Sequence, residues 1–180
     1  MNTSTLGLAE LIGHESIVTR RYRDSAGVWK VGVGHVKAAG APDPSVITTD
    51  LAVSDLVALF RKDIAAVEKD VRAALRVPVT QNEFDALVSF HFDTGSIYRA
   101  SLTKSLNSGD RSTAAAQFMH WNKPPEVIDR RMAEMILFRD GVYSCDGKAA
   151  VYPATNGGAV LWGRGKRVPL LPLLEGDATP

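Results

Sequence analysis

Two carboxylic acids stand out for what they could do together: Glu15 and Asp24, close to the N-terminus. Cleaving a glycosidic bond takes one protonated carboxyl that donates to the leaving oxygen. It takes a second, ionised one that manages water and the positive charge developing on the sugar ring. The spacing of Glu15 and Asp24 is of no use on a single helix, but a chain reversal between them would set them across a cleft. Taken alone, the pair reads far more readily as solvated surface charge, because Asp and Glu are mostly exposed.

The other reactive side chains make weaker cases. Cys145 sits among Ser144, Asp146 and Gly147, which offer no base to activate a thiol. A single cysteine also excludes an intramolecular disulfide framework and a cysteine-rich zinc site. His14, His91 and His120 lack metal-ligand spacing, so no metal is expected. The Gly32/Gly34 pair is followed by no lysine–serine and no helix, which rules out a phosphate loop. Trp29 and Trp162 read as core or rim residues, with stacking on a sugar ring as the alternative.

Certain elements must position these groups. Leu6, Leu8, Leu11 and Ile12 predict a short helix with N-cap oxygens at Thr3–Thr5, loosened by Gly13 so that Glu15 follows it. From Tyr22 to Val36 the texture turns aromatic and β-branched. Asp24–Gly27 reads as a turn and Val28–Gly34 as a strand, together a small hairpin region. Gly40, Pro42 and Pro44 mark a loop. A long amphipathic helix over Thr49–Leu75 follows, with cap candidates at Thr48, Thr49 and Asp50. Thr80 and Glu83 form a capping box for the next helix, which Gly95 ends. Shorter helices are expected over Ser101–Leu106, Ser112–Trp121 and Pro125–Phe138. After Tyr143 the helical period disappears, and the remainder reads as irregular structure or a short β excursion.

Glu15, Tyr22, Asp24, Gly27, Val31, Gly32, Gly34 and His35 together resemble the signature of phage-type lysozymes, glycoside hydrolase family 24. A second block, Thr80–Phe90, is similar to the family's central helix. Leu106–Asp110 and the Arg130–Arg131 pair ahead of Ala133–Glu134 are similar to further blocks, so the resemblance covers about residues 6 to 140. It implies an α+β, lysozyme-like fold in which a small N-terminal β-hairpin lobe is joined by the long helix to a mainly helical C-terminal lobe. It implies a catalytic domain over 1–142 and an irregular extension over 143–180 packed on it. It also implies a muramidase that cuts the β-1,4 bond between N-acetylmuramic acid and N-acetylglucosamine with inversion, needing no cofactor. Glu15 then stands at the general acid's position and Asp24 at that of the carboxylate that positions water. Phe92 and Asp93 match cleft-lining positions, His35 a structural hydrogen bond or ion pair, and Trp121 and Arg130 structural positions.

The sequence departs from the pattern at the third catalytic position, where a threonine is usual and Lys30 stands. A hydroxyl both donates and accepts, whereas an ammonium only donates. Either Lys30 turns away and pairs with Asp24 or a peptidoglycan carboxylate, leaving slower hydrolysis with an acid-shifted optimum, or the chain mainly binds glycan. A lytic transglycosylase is a third reading. Ser16 replaces the usual glycine after the glutamate, and Asp93 an asparagine or glutamine.

Composition bounds the rest. The 180 residues are 45% hydrophobic and 23% charged, with 21 basic against 20 acidic residues. That supports one globular domain or two small lobes and argues against a bulk nucleic-acid binder. No apolar run reaches the ~20 residues of a membrane span. The N-terminus has no basic start followed by an apolar run, so no signal peptide is expected. The partner implied is bacterial peptidoglycan, met by a monomer held in the host cytoplasm until release, with a virion part or injected effector as alternatives. Lys148, Arg164, Lys166 and Arg167 against Asp146, Glu175 and Asp177 leave the tail slightly basic. It reads as a packing tail, with a cell-wall anchor through Trp162 as the alternative.

Overall fold

A computed structural model describes residues 1–176. In chain order the elements are α1 (Thr5–Glu15), β1 (Ile17–Arg23), β2 (Trp29–Gly32), β3 (His35–Val36), α2 (Val53–Ala74), α3 (Gln81–Thr94), α4 (Ser101–Asn107), α5 (Arg111–Gln117), α6 (Ile128–Asp140), β4 (Lys148–Tyr152), β5 (Lys166–Pro169) and α7 (Leu171–Glu175). The fold is α+β, as the resemblance implied. The chain divides into two compact units: residues 1–10 with 64–144, and residues 11–63 with Cys145 onward. Helices α1 and α2 each contribute to both.

The second unit holds one five-stranded sheet in the order β3-β2-β1-β4-β5. β1 and β2 pair antiparallel, with Tyr22 opposite Lys30 and an irregularity between Val18 and Tyr22. β4 lies parallel to β1, Ile17 opposite Val151, and β5 returns antiparallel on β4. The C-terminal segment, expected as an irregular extension beyond a boundary at 142/143, therefore supplies two strands to the N-terminal hairpin's sheet. Asp177, counted in that segment's charge, lies outside the described residues. The core of this unit is Leu11, Ile12, Ile17, Val31, Leu56, Val57 and Phe60, all buried. Gly32 is required where β2 turns: its φ is +62°, and a Cβ would stand 3.0 Å from Leu56 Cδ2. His35, buried next to that turn, offers Nδ1 to Asp63 at 2.8 Å and Nε2 to the Pro42 carbonyl at 2.9 Å. The Gly-x-Gly-His motif is thus an anchoring device for the hairpin.

The first unit is helical. Thr80 and Glu83 close the predicted capping box, and Gly95 ends α3 at φ +61°. Phe84, Leu87, Val88 and Phe90 are buried, and Phe90 meets Phe118 edge-on at 5.6 Å. Asn82 donates to the Leu137 carbonyl near the end of α6. Asp85 ties in the N-terminus by accepting from Ser4 Oγ, Tyr143 Oη and Gln81 Nε2.

Some helix limits moved. α2 starts at Val53, beyond the cap candidates Thr48, Thr49 and Asp50, and Asp50 instead accepts from Thr19 Oγ1 and pairs with Arg20 at 3.0 Å. α5 ends at Gln117 and continues as a 3-10 turn, and a 3-10 turn at Pro125–Val127 leads into α6.

Candidate active site

Glu15 is the last residue of α1, not a residue beyond it: Gly13 stays helical and packs against Cys145, where a Cβ would meet the cysteine's own Cβ at 3.4 Å. The chain reverses at Ser16, whose amide still reaches the Ile12 carbonyl at 2.8 Å. Ser16 has φ +68°, the left-handed region, and is the only non-glycine residue there among those described. This explains why glycine is usual after the glutamate. An L-residue here costs roughly 1–2 kcal/mol of backbone strain, incurred beside the proposed acid.

β1 then carries the chain to Asp24, which opens the hairpin turn. Its backbone N–H donates to the Val28 carbonyl and its carbonyl accepts from Gly27, while Oδ1 accepts from the amides of Ala26 (3.0 Å) and Val28 (2.9 Å). An aspartate that hydrogen-bonds its own turn in this way sets both the turn and its own orientation. The other oxygen, Oδ2, lies 3.1 Å from Lys30 Nζ. The Val28 amide first, and Lys30 next, hold the Asp24 carboxyl below the usual carboxylate range.

Tyr22 links the acids. It stands two residues before Asp24, hence on the same side of the strand, and directly opposite Lys30. Burial pushes its phenol up to about 12, and the negative charges of Glu15 and then Asp24 push in the same direction. Sequence reading kept Tyr22 as a motif residue only. The period-two spacing to Asp24 was the available signal, while its proximity to Glu15 depends on the reversal at Ser16.

The sheet unit thus contains Glu15, Asp24 and Lys30, with Lys30 paired to Asp24. Trp29 is occupied otherwise: the guanidiniums of Arg23 and Arg21 lie 4.3 and 4.6 Å from its ring centroid, and Gly158 packs against it. Trp162 is exposed, 4.9 Å from the Tyr152 ring. Phe92 and Asp93 belong to the helical unit, at the end of α3, Phe92 half-buried and Asp93 exposed. The extra carboxylate at Asp93 does not stand as unbalanced charge, since Arg131 approaches it at 2.9 Å and Arg130 at 3.5 Å. The same two arginines serve buried Glu134, which also accepts from Ser89 Oγ at 2.7 Å. Burial pushes the Glu134 carboxyl up, and Arg131 and Arg130 oppose it. Trp121, packed edge-on against Phe90 at 5.2 Å, has the structural role expected of it. No group of His, Cys, Asp and Glu among the described residues could hold a metal ion.

Residues 13–134 match the family described as phage lysozyme. The chain belongs to that family. It is 36% identical to the endolysin of Acyrthosiphon pisum secondary endosymbiont phage 1, over 77% of this chain and 98% of that protein. It is 31% identical to the endolysin of Salmonella phage P22, again over 77% of this chain and 98% of the relative. In structure it is similar to the endolysin from Escherichia coli O157:H7 phage FAHEc1, with a TM-score of 0.74 and 26% identity, covering 81% of this chain and 98% of that one. Family membership matters most for the residues that depart from its usual pattern, because Ser16 and Lys30 both lie within the matched span.

Proposed function

We propose that this phage lysozyme cleaves peptidoglycan with Glu15 as general acid and Asp24 as the carboxylate that positions water. The chain is a peptidoglycan-hydrolysing muramidase of host lysis, a glycoside hydrolase. The observation that carries the assignment of roles is the hold on Asp24, whose Oδ1 accepts from the Ala26 and Val28 amides while Oδ2 pairs with Lys30, an arrangement that suits the ionised partner of the two acids. Glu15, when protonated, passes its proton to the bridging oxygen as the bond to the anomeric carbon of N-acetylmuramic acid breaks. Asp24, ionised, takes a proton from water entering on the opposite face, so that the anomeric centre inverts. Every group required is a side chain or water, and the protein works as a monomer.

Lys30 modifies this site without dismantling it. Its ammonium is engaged with Asp24 Oδ2, while the backbone amides of the turn hold Oδ1. It therefore favours ionised Asp24 and supplies a donor, but not the acceptor, that a threonine hydroxyl would offer to water. The expected result is active hydrolysis with an acid-shifted optimum. The enzyme waits in the host cytoplasm and reaches the wall on release.

The test is mass spectrometry of purified peptidoglycan after digestion, with the anomer of the fresh product followed by NMR. Reducing muramic ends born as the α-anomer are expected. Anhydro ends, or a β-anomer, would overturn the inverting mechanism.

A further inference from the structure

The helical unit contains a polar cavity of about 460 Å³ that the acid pair does not use, within the size range of small-ligand sites. Its walls come from the end of α2, the chain just beyond it, and α4 with the turn that follows. Arg76 and Lys104 line it together with Tyr98, Asn107 and Ser108 over a floor of alanine methyls, and no lining residue is acidic.

Arg76 and Lys104 are both exposed and both line this one cavity. Cations at helix C-termini usually serve the last carbonyl groups, but several of those carbonyls already have partners here. Asn107 Nδ2 donates to the Ala74 carbonyl at 2.9 Å. The Lys104 and Ser105 carbonyls accept from the Ser108 amide, and Ser105 accepts from the Asp110 amide and Ser108 Oγ as well. The Leu106 carbonyl accepts from Gly109. Nor are the cations held by acids: among the described residues no carboxylate lies within ion-pair distance of Arg76 or Lys104. The nearby acid, Asp70, accepts from Tyr98 Oη at 3.2 Å and faces His91 at 3.4 Å. The wall itself is fixed, since Asn107 Oδ1 accepts the Arg76 backbone N–H at 2.8 Å. That bond starts the Arg76 side chain from a pinned backbone, which lowers the ordering cost of gripping a ligand.

We infer that this cavity is an oxyanion-binding site, in which Arg76 and Lys104 grip a carboxylate or phosphate group carried on a small polar ligand. An arginine fork and a lysine point charge together suit such a group. The inference is independent of the acid pair and of the roles assigned to it. Because the enzyme's substrate bears peptide carboxylates and bacterial walls also carry phosphodiesters, both sources present the same chemistry.

NMR titration of the full chain tests it, with inorganic phosphate and, separately, a short acetylated peptide with a free C-terminal carboxylate. Sodium chloride at matched ionic strength is the control. Saturable shifts are expected at the Arg76 and Ser108 amides, the Arg76 Nε–H and the Lys104 side chain, and not with chloride. Arg76→Gln combined with Lys104→Gln should weaken binding by at least about tenfold, in line with loss of charge-assisted contacts, with the thermal midpoint unchanged. Tighter binding of phosphate points to phosphodiesters as the source, and tighter binding of the peptide to stem-peptide ends. Shifts that never saturate, that chloride reproduces, or that persist in the double variant overturn the site.

Discussion

Two charge clusters in this molecule are built on opposite principles. In the helical unit, Arg131 and Glu134 are fully buried, joined by Arg130, Asp93 and Ser89 through contacts of 2.7 to 3.5 Å. In the sheet unit, Asp24 and Lys30 form one pair whose side chains keep 25% and 29% of their surface in water. A buried network is costly to assemble and far more costly to break halfway, because removing one member strands a charge in low dielectric. A half-exposed pair contributes little to stability, but it still decides which protonation state the carboxylate holds. The first cluster is a structural commitment, the second a chemical setting.

The largest effect should fall on the chemistry and leave the fold alone. Glu15→Gln removes the proposed acid and should lower peptidoglycan turnover by about 10²–10⁴-fold, the usual worth of a general acid, with binding to insoluble peptidoglycan retained. A variant that hydrolyses normally would remove Glu15 from the mechanism.

Next comes the buried network. Arg131→Met should cost about 3–5 kcal/mol of unfolding free energy, as breaking one side of a buried pair does, read by urea denaturation. Lys30→Met, removing one side of the exposed pair, should cost at most about 1 kcal/mol. Equal losses would erase the contrast between the clusters.

A smaller change separates strain from charge. Ser16→Gly relieves the left-handed backbone after Glu15 and should stabilise the protein by roughly 1 kcal/mol, offset in part by the freedom glycine gains in the unfolded chain. A drop in thermal midpoint would mean that the serine side chain outweighs its backbone strain.

The smallest effect is a shift along the pH axis. Asp24 has a depressed native pKa, so its contribution to stability is present above the ordinary carboxylate range and is lost as pH falls through the native value. Lys30→Thr removes one cause and leaves the Val28 amide in place. Asp24 should then take up its proton at a higher pH, and the acid limb of the activity profile should move toward neutrality. An acid limb that does not move would show that Lys30 does not control Asp24.

Much of this was legible in the chain. The α2 period, the capping box at Thr80 and Glu83, the left-handed glycine closing α3 and the turn at Asp24 are local, and each depends on residues a few positions apart. The motif around Glu15, Asp24 and Gly32–His35 was legible for the same reason. What misled was competition or distance. Asp50 was an attractive helix cap until Thr19 and Arg20 claimed it. The alternation in Lys148–Tyr152 is too short to announce a strand, and β4 finds its partner in β1, more than a hundred residues earlier.

By itself, the sequence determined the type of chemistry and its family, because those depend on which residues are present and on short spacings. It also determined that Lys30 is the residue to question. Only the tertiary structure decided what the charges do. It set Lys30 against one Asp24 oxygen while the turn held the other, matched Asp93 with two arginines, and put Ser16 where glycine belongs. It also left Arg76 and Lys104 facing one cavity. These are outcomes of through-space distance and burial, which charge counts and periodicity do not encode.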